Sequence, residues 1–171
     1  MSSTNSQLPD ARLVVTGHTA DGTSVFTYDD TRTPFFPFGP AGSSFTTFHA
    51  SSTVPVSNTA PFPELGTTLP RPPPEGVIFC ITDIRAGSRA PMHRTLSIDY
   101  TVILSGEIVC ILDSGEEKTV KAGEFIVQRG TNHAWHNRSE ETCRMLGVMV
   151  GAEKIVLDGK VFEETVIKKP E

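Results

Sequence analysis

His93, Thr95, Ser97 and Asp99 occupy alternate positions of the stretch Met92 to Tyr100. Side chains on an extended strand alternate between faces, so these four share one face and Leu96, Ile98 and Tyr100 take the other. A strand lining an ordinary core turns its apolar side inward. A face of imidazole, two hydroxyls and a carboxylate suits a pocket instead, and groups of this kind facing one cavity are how a catalytic or metal site begins. A second polar stretch runs Gln128-Arg-Gly130-Thr-Asn-His133-Ala-Trp135-His-Asn137. Here His133, Trp135 and Asn137 share parity, and His136 points away toward solvent. Trp135 is placed to wall the pocket or to pack in the core. Ser97 is placed to bond a ligand or Asp99.

The elements that must carry these groups read as strands. Arg12 to Tyr28 is a hairpin with its turn at Asp21-Gly22. Strands are predicted at Val77–Ile84, Met92–Leu104 (single or bent), Glu107–Leu112, Lys118–Lys121, Glu124–Gln128, His133–Asn137 and Thr142–Val150. A short one at Lys160–Phe162 follows. No window carries sustained helical periodicity. Many short strands between turns mean an all-β sandwich or barrel.

Residues 34 to 74 differ in kind, with ten of the thirteen prolines alongside Phe35, Phe36, Phe38, Phe45, Phe48 and Phe62. Proline at this density rules out a helix and a central strand. The rings are too apolar for a solvated linker. The expectation is an extended arm laid on the main body, on a neighbouring subunit or over the pocket mouth, with packing favoured over a lid. The division expected is a disordered lead-in at 1–10, hairpin and arm at 11–75, barrel at 76–152, and an extension at 153–171.

The bulk properties exclude several classes. A net charge of -5 gives no basic footprint for nucleic acid or anionic membrane. No apolar run approaches the ~20 residues of a membrane span, and the first residues lack signal-peptide character, so a cytoplasmic protein is expected. Cys80, Cys110 and Cys143 are odd in number and match no zinc spacing; they are expected as buried free thiols. There is no glycine-rich nucleotide loop and no serine nucleophile elbow.

The two polar stretches resemble the paired motifs of the cupin family. Gly87, His93, Thr95, Asp99 and Gly106 take the places of the first motif, and Gly123, Gln128, Gly130, His133 and Asn137 those of the second, over roughly residues 77–150. The resemblance implies a jelly-roll β-barrel. The surrounding text is similar to small single-domain fungal cupins of polyketide clusters, described as cupin-domain oxidoreductases. Metal-binding members use three histidines and a glutamate; carried over by position, His93 and His133 are kept, Thr95 replaces a histidine and Asp99 the glutamate. Gln128 stands where the second motif has proline.

Three readings follow from this carry-over. In the first, His93, Asp99 and His133 hold a divalent metal, Fe2+ before Mn2+ or Zn2+, in an oxidoreductase or dioxygenase-type site with open positions. In the second no metal is needed: His93 and His133 act as acid and base and Asp99 orients an imidazole, as suits a lyase or isomerase. The third is a non-catalytic pocket for a small ligand. Thr95, Ser97, Gln128 and Trp135 are the expected substrate-binding residues. A homodimer is expected from the resemblance and from the apolar arm.

Overall fold

Among the described residues, short alternating segments between glycine turns give thirteen strands and no helix. The structure is a computed structural model that describes residues 7–63, 65 and 67–165. The expected lead-in therefore lies mostly outside the described residues, as does the end of the extension. Strands β1 (Ala11–His18) and β2 (Ser24–Arg32) form the hairpin read from Asp21-Gly22, with a bulge at Val15/Thr16. Among the described residues they pair with each other and with no other strand.

Two sheets build the barrel. One runs β5 (Arg89–His93), β10 (His133–His136), β7 (Glu107–Leu112), β8 (Glu117–Lys121). The other runs β3 (Ser44–Ser51), β4 (Val77–Ile84), β11 (Cys143–Gly151), β6 (Ser97–Ser105), β9 (Phe125–Arg129). All their pairings are antiparallel. Ile84, Ile103, Ile108, Val120, Trp135, Cys143 and Met145 form the core cluster. At Gly106 (φ 71°) a β-carbon would press on the Thr142 carbonyl and on Cys143, which holds β6 and β7 to a tight corner. Strands β12 (Ile155–Leu157) and β13 (Lys160–Phe162) form a separate hairpin in the extension.

Two expectations change. The barrel takes in β3, from within the arm, so its sheet starts well before residue 76. The prolines leave 41–54 clear, and there Ser44, Thr46 and Phe48 alternate inward. Phe48 packs on Phe79 of β4 with ring centroids 5.1 Å apart. The second change is at Arg94–Leu96, where the chain leaves the first sheet for the second. His93 and Asp99 thus come from facing sheets rather than from one continuous strand. No helix of the described residues is long and apolar enough to cross a membrane.

Candidate active site

Pairing of β5 with β10 sets His93 directly opposite His133. Their ring centroids lie 4.3 Å apart, and Trp135 meets the His133 ring edge-on at 5.1 Å. Both imidazoles, with Thr95, Asp99 and Trp135, line a cavity of about 670 Å³ between the sheets. Its remaining walls are largely apolar, from Ile84 of β4, Met145 and Met149 of β11, and Phe38, Phe45 and Leu69 of the arm. The arm therefore packs on the body and also walls the pocket.

Each site group is anchored from behind. His93 Nδ1 lies 2.8 Å from the Pro91 carbonyl. Only an N–H can bond there, so the lone pair is at Nε2, which has no partner among the described residues. His133 Nδ1 faces two groups, the Thr131 carbonyl at 3.0 Å and the amide nitrogen of Gln128. The Gln128 amide is itself oriented: its NH2 donates to Thr131 O at 2.9 Å and its Oε1 accepts from Thr131 Oγ1 at 2.6 Å. A protonated Nδ1 donates to the carbonyl and a bare Nδ1 accepts from the amide. His133 can therefore exchange tautomers without losing a hydrogen bond. Across the cavity, Ser97 Oγ donates to Asp99 Oδ1 at 2.6 Å and stands 3.0 Å from Thr95 Oγ1.

Burial sets the protonation states. It pushes His133 down to about 4, with help from the positive charge His93 can carry, while the Thr131 carbonyl opposes the shift. His93 is lowered mainly by burial, opposed by Pro91 O, with a smaller push from the Arg71 guanidinium. Burial raises Asp99 to about 6 against the Ser97 hydrogen bond, which favours its anion. Cys80, on the same wall, is raised to about 12 by burial and then by Asp99. The thiol is a protonated lining group rather than a nucleophile.

Two of the three expected metal ligands, His93 and His133, come together. Among the described residues no three His, Cys, Asp or Glu side chains gather to hold an ion. Two imidazoles meet, but the carboxylate is short, stands on the facing sheet and is drawn to Ser97. Where a third imidazole would come in the family pattern, Thr95 offers a hydroxyl.

Of the expected substrate-binding residues, Thr95 and Trp135 line the cavity. Ser97 and Gln128 are buried behind it, where they fix Asp99 and His133. Asn137 is a structural anchor: fully buried, it donates to Ile84 O and Glu141 O and accepts from Ser139. His136 faces outward between Arg89 and Arg138. The sequence reasoning missed Cys80, Thr101, Met145, Gly147, Met149 and Arg71 as lining residues. Parity would have found most of them, since Asp99 and Thr101 share a face of β6, and Met145, Gly147 and Met149 one of β11. Arg71, a lone cation in a proline run, carries no such signal.

The chain is similar to known proteins over most of its length. The family model described as "Cupin domain" matches residues 80–150. "Phomopsin biosynthesis cluster protein C'" of Diaporthe leptostromiformis is 40% identical, over 94% of this chain and 90% of its own length. "Cupin-domain-containing oxidoreductase virC" of Hypocrea virens is 29% identical, over 88% of this chain and 80% of its own. The solved polyketide cyclase RemF of Streptomyces resistomycificus shares the fold at a TM-score of 0.50 and 16% identity, covering 82% of each chain. Paired motifs, jelly-roll sheets and full-length relatives from biosynthetic clusters together place this chain in the cupin family.

Proposed function

We propose that this cupin is an enzyme of secondary metabolism that moves a proton on a carbonyl-bearing, largely apolar intermediate, as a lyase or isomerase. The observation that carries the reading is the contact of His93 and His133 within a largely apolar cavity. Two adjacent imidazoles resist joint protonation, so at neutral pH both present neutral nitrogens. His133 serves as the proton carrier because either tautomer keeps a partner at Nδ1. His93, held with its lone pair at Nε2, accepts a hydrogen bond from the substrate. Asp99, raised to about 6, is partly protonated near neutrality and can donate to a developing enolate oxygen. Trp135 and the methionines exclude water and contact the apolar skeleton. A small molecule is the partner the cavity requires. A second copy of the chain is proposed to cover the β1–β2 hairpin, whose Phe26 is 76% exposed.

The test is deuterium uptake at the α-carbon of a panel of aryl ketones, followed by proton NMR. Wild type should accelerate uptake, and His133→Gln should lose on the order of a hundredfold or more of that acceleration. Uptake that is unaccelerated, or indifferent to His133→Gln, sinks the reading.

A second reading is favoured by relatives named as cupin-domain oxidoreductases. There the chain is a metal-dependent oxidoreductase with His93 and His133 among the ligands. Stoichiometric iron or manganese in the purified protein, lost in His133→Gln, would decide for it.

A further inference from the structure

We propose that Arg71 makes the cavity a site for a ligand bearing a carboxylate at one end of an apolar skeleton. This rests on the assignment of the cavity as the substrate site, and not on proton transfer as its chemistry.

Two guanidinium residues line the cavity, Arg71 and Arg89. Arg89 directs its Nε to His136, a residue turned away from the interior, at 3.1 Å. Arg71 sits between Pro70 and Pro72, whose rings restrict the backbone on either side. It is close enough to His93 to lower that imidazole's proton affinity. A guanidinium cannot shed its charge, so beside apolar walls it calls for an anion.

The chain's own answer is Glu164, from the C-terminal extension. That pair joins a single nitrogen, Nη1, to a single oxygen, Oε1. The Nε and Nη2 of Arg71 have no partner among the described residues. The Glu164 side chain is 38% exposed, so water competes with this contact. The geometry therefore leaves one edge of the guanidinium fork open. That edge matches the two oxygens of a carboxylate, which a single neutral carbonyl cannot reproduce. Phe38, Phe45 and Leu69, from the same arm, supply the apolar walls. A cavity of about 670 Å³ accommodates an aromatic or short polycyclic acid.

Trp135, the single tryptophan of the chain, lines the cavity and reports occupancy. The experiment titrates the whole protein with hydrocinnamate and, separately, with hydrocinnamamide, reading indole fluorescence. The acid should bind at least about tenfold tighter than the amide. Arg71→Gln should reduce that ratio to near unity, and Arg71→Lys should give an intermediate ratio. Glu164→Gln should tighten the acid by removing its competitor. Equal affinity for acid and amide in wild type, including no response to either, overturns the proposal. So does a preference that survives Arg71→Gln. A preference abolished by His133→Gln but not by Arg71→Gln would put the anion on the imidazoles and also overturn it. If ketone exchange fails while the Arg71-dependent preference holds, the chemistry proposed above is wrong and this assignment stands.

Discussion

Asp99→Asn should make the protein more stable at pH 7 relative to pH 4 than wild type is. Burial raises the Asp99 carboxyl from 3.8 to about 6, so folding opposes its ionisation. Below pH 3.8 it is protonated in both states and costs nothing; as pH rises through 3.8 to 6 the unfolded chain ionises first and stability falls. At about 1.4 kcal/mol per tenfold change in proton affinity, the full penalty is about 3 kcal/mol, of which about 2 develops between pH 4 and pH 7. His133 works the other way. Lowered from 6.5 to about 4, it is neutral in both states above pH 6.5, and its contribution is lost as pH falls from 6.5 to 4. Over that shared range the two slopes nearly cancel in wild type. Asparagine accepts the Ser97 hydrogen bond on the same oxygen but has no proton to lose. The variant should therefore gain about 2 kcal/mol over wild type on going from pH 4 to pH 7, with the His133 slope exposed. Urea unfolding followed by Trp135 fluorescence at both pH values measures this as a double difference, which removes pH-independent effects of the substitution. A double difference near zero, or of opposite sign, refutes the claim that the carboxyl is buried at the expense of its charge.

Gln128→Leu removes the donor for the bare form of His133 Nδ1 and should hold the ring as its Nδ1–H tautomer; 15N chemical shifts of the histidine ring check this, and ketone exchange should fall with it. Asn137→Ala leaves the buried Ile84 carbonyl without its side-chain donor and frees the Ser139 turn, so thermal unfolding should show a loss of about 3 kcal/mol. Gly147 has open space where a β-carbon would project, so Gly147→Leu should fill the cavity, weaken hydrocinnamate binding and leave the melting temperature within a few degrees of wild type. Light scattering should give the mass of two chains for wild type, and Phe26→Ser should shift it toward one.

Parity made most of the site legible. The inward set Thr95, Ser97, Asp99 and the set His133, Trp135 are buried as alternation requires, while Tyr100 and His136 face outward. Alternation could not say which sheet each residue joins, because the break at Arg94–Leu96 follows from how the two sheets close on each other. Nor could it separate a residue that lines a cavity from one directly behind it. Ser97 and Gln128 have the same inward direction as their neighbours, yet hydrogen bonds turn them to Asp99 and His133 instead of to the space. The β3 strand was obscured by the prolines around it, and Arg71 reaches the cavity only through the path of the arm.

An inward polar face is costly unless its hydrogen bonds are made. This chain makes them on one side only. Pro91, Thr131, Gln128 and Ser97 satisfy the rear atoms of His93, His133 and Asp99. On the cavity side the imidazole Nε2 atoms, the second carboxyl oxygen and an edge of the Arg71 guanidinium remain without partners among the described residues. Rear bonds fix the rings and the carboxyl in place, so a ligand meets groups already oriented and need not order them. The residues behind the cavity hold the rings and the carboxyl in place, and those in front meet the ligand. A substitution behind, such as Gln128→Leu, should therefore alter the pH profile of turnover with little effect on binding, whereas the uncharged Gly147→Leu should alter binding with little effect on the profile. Variants that moved both quantities together would show that the two layers act as one.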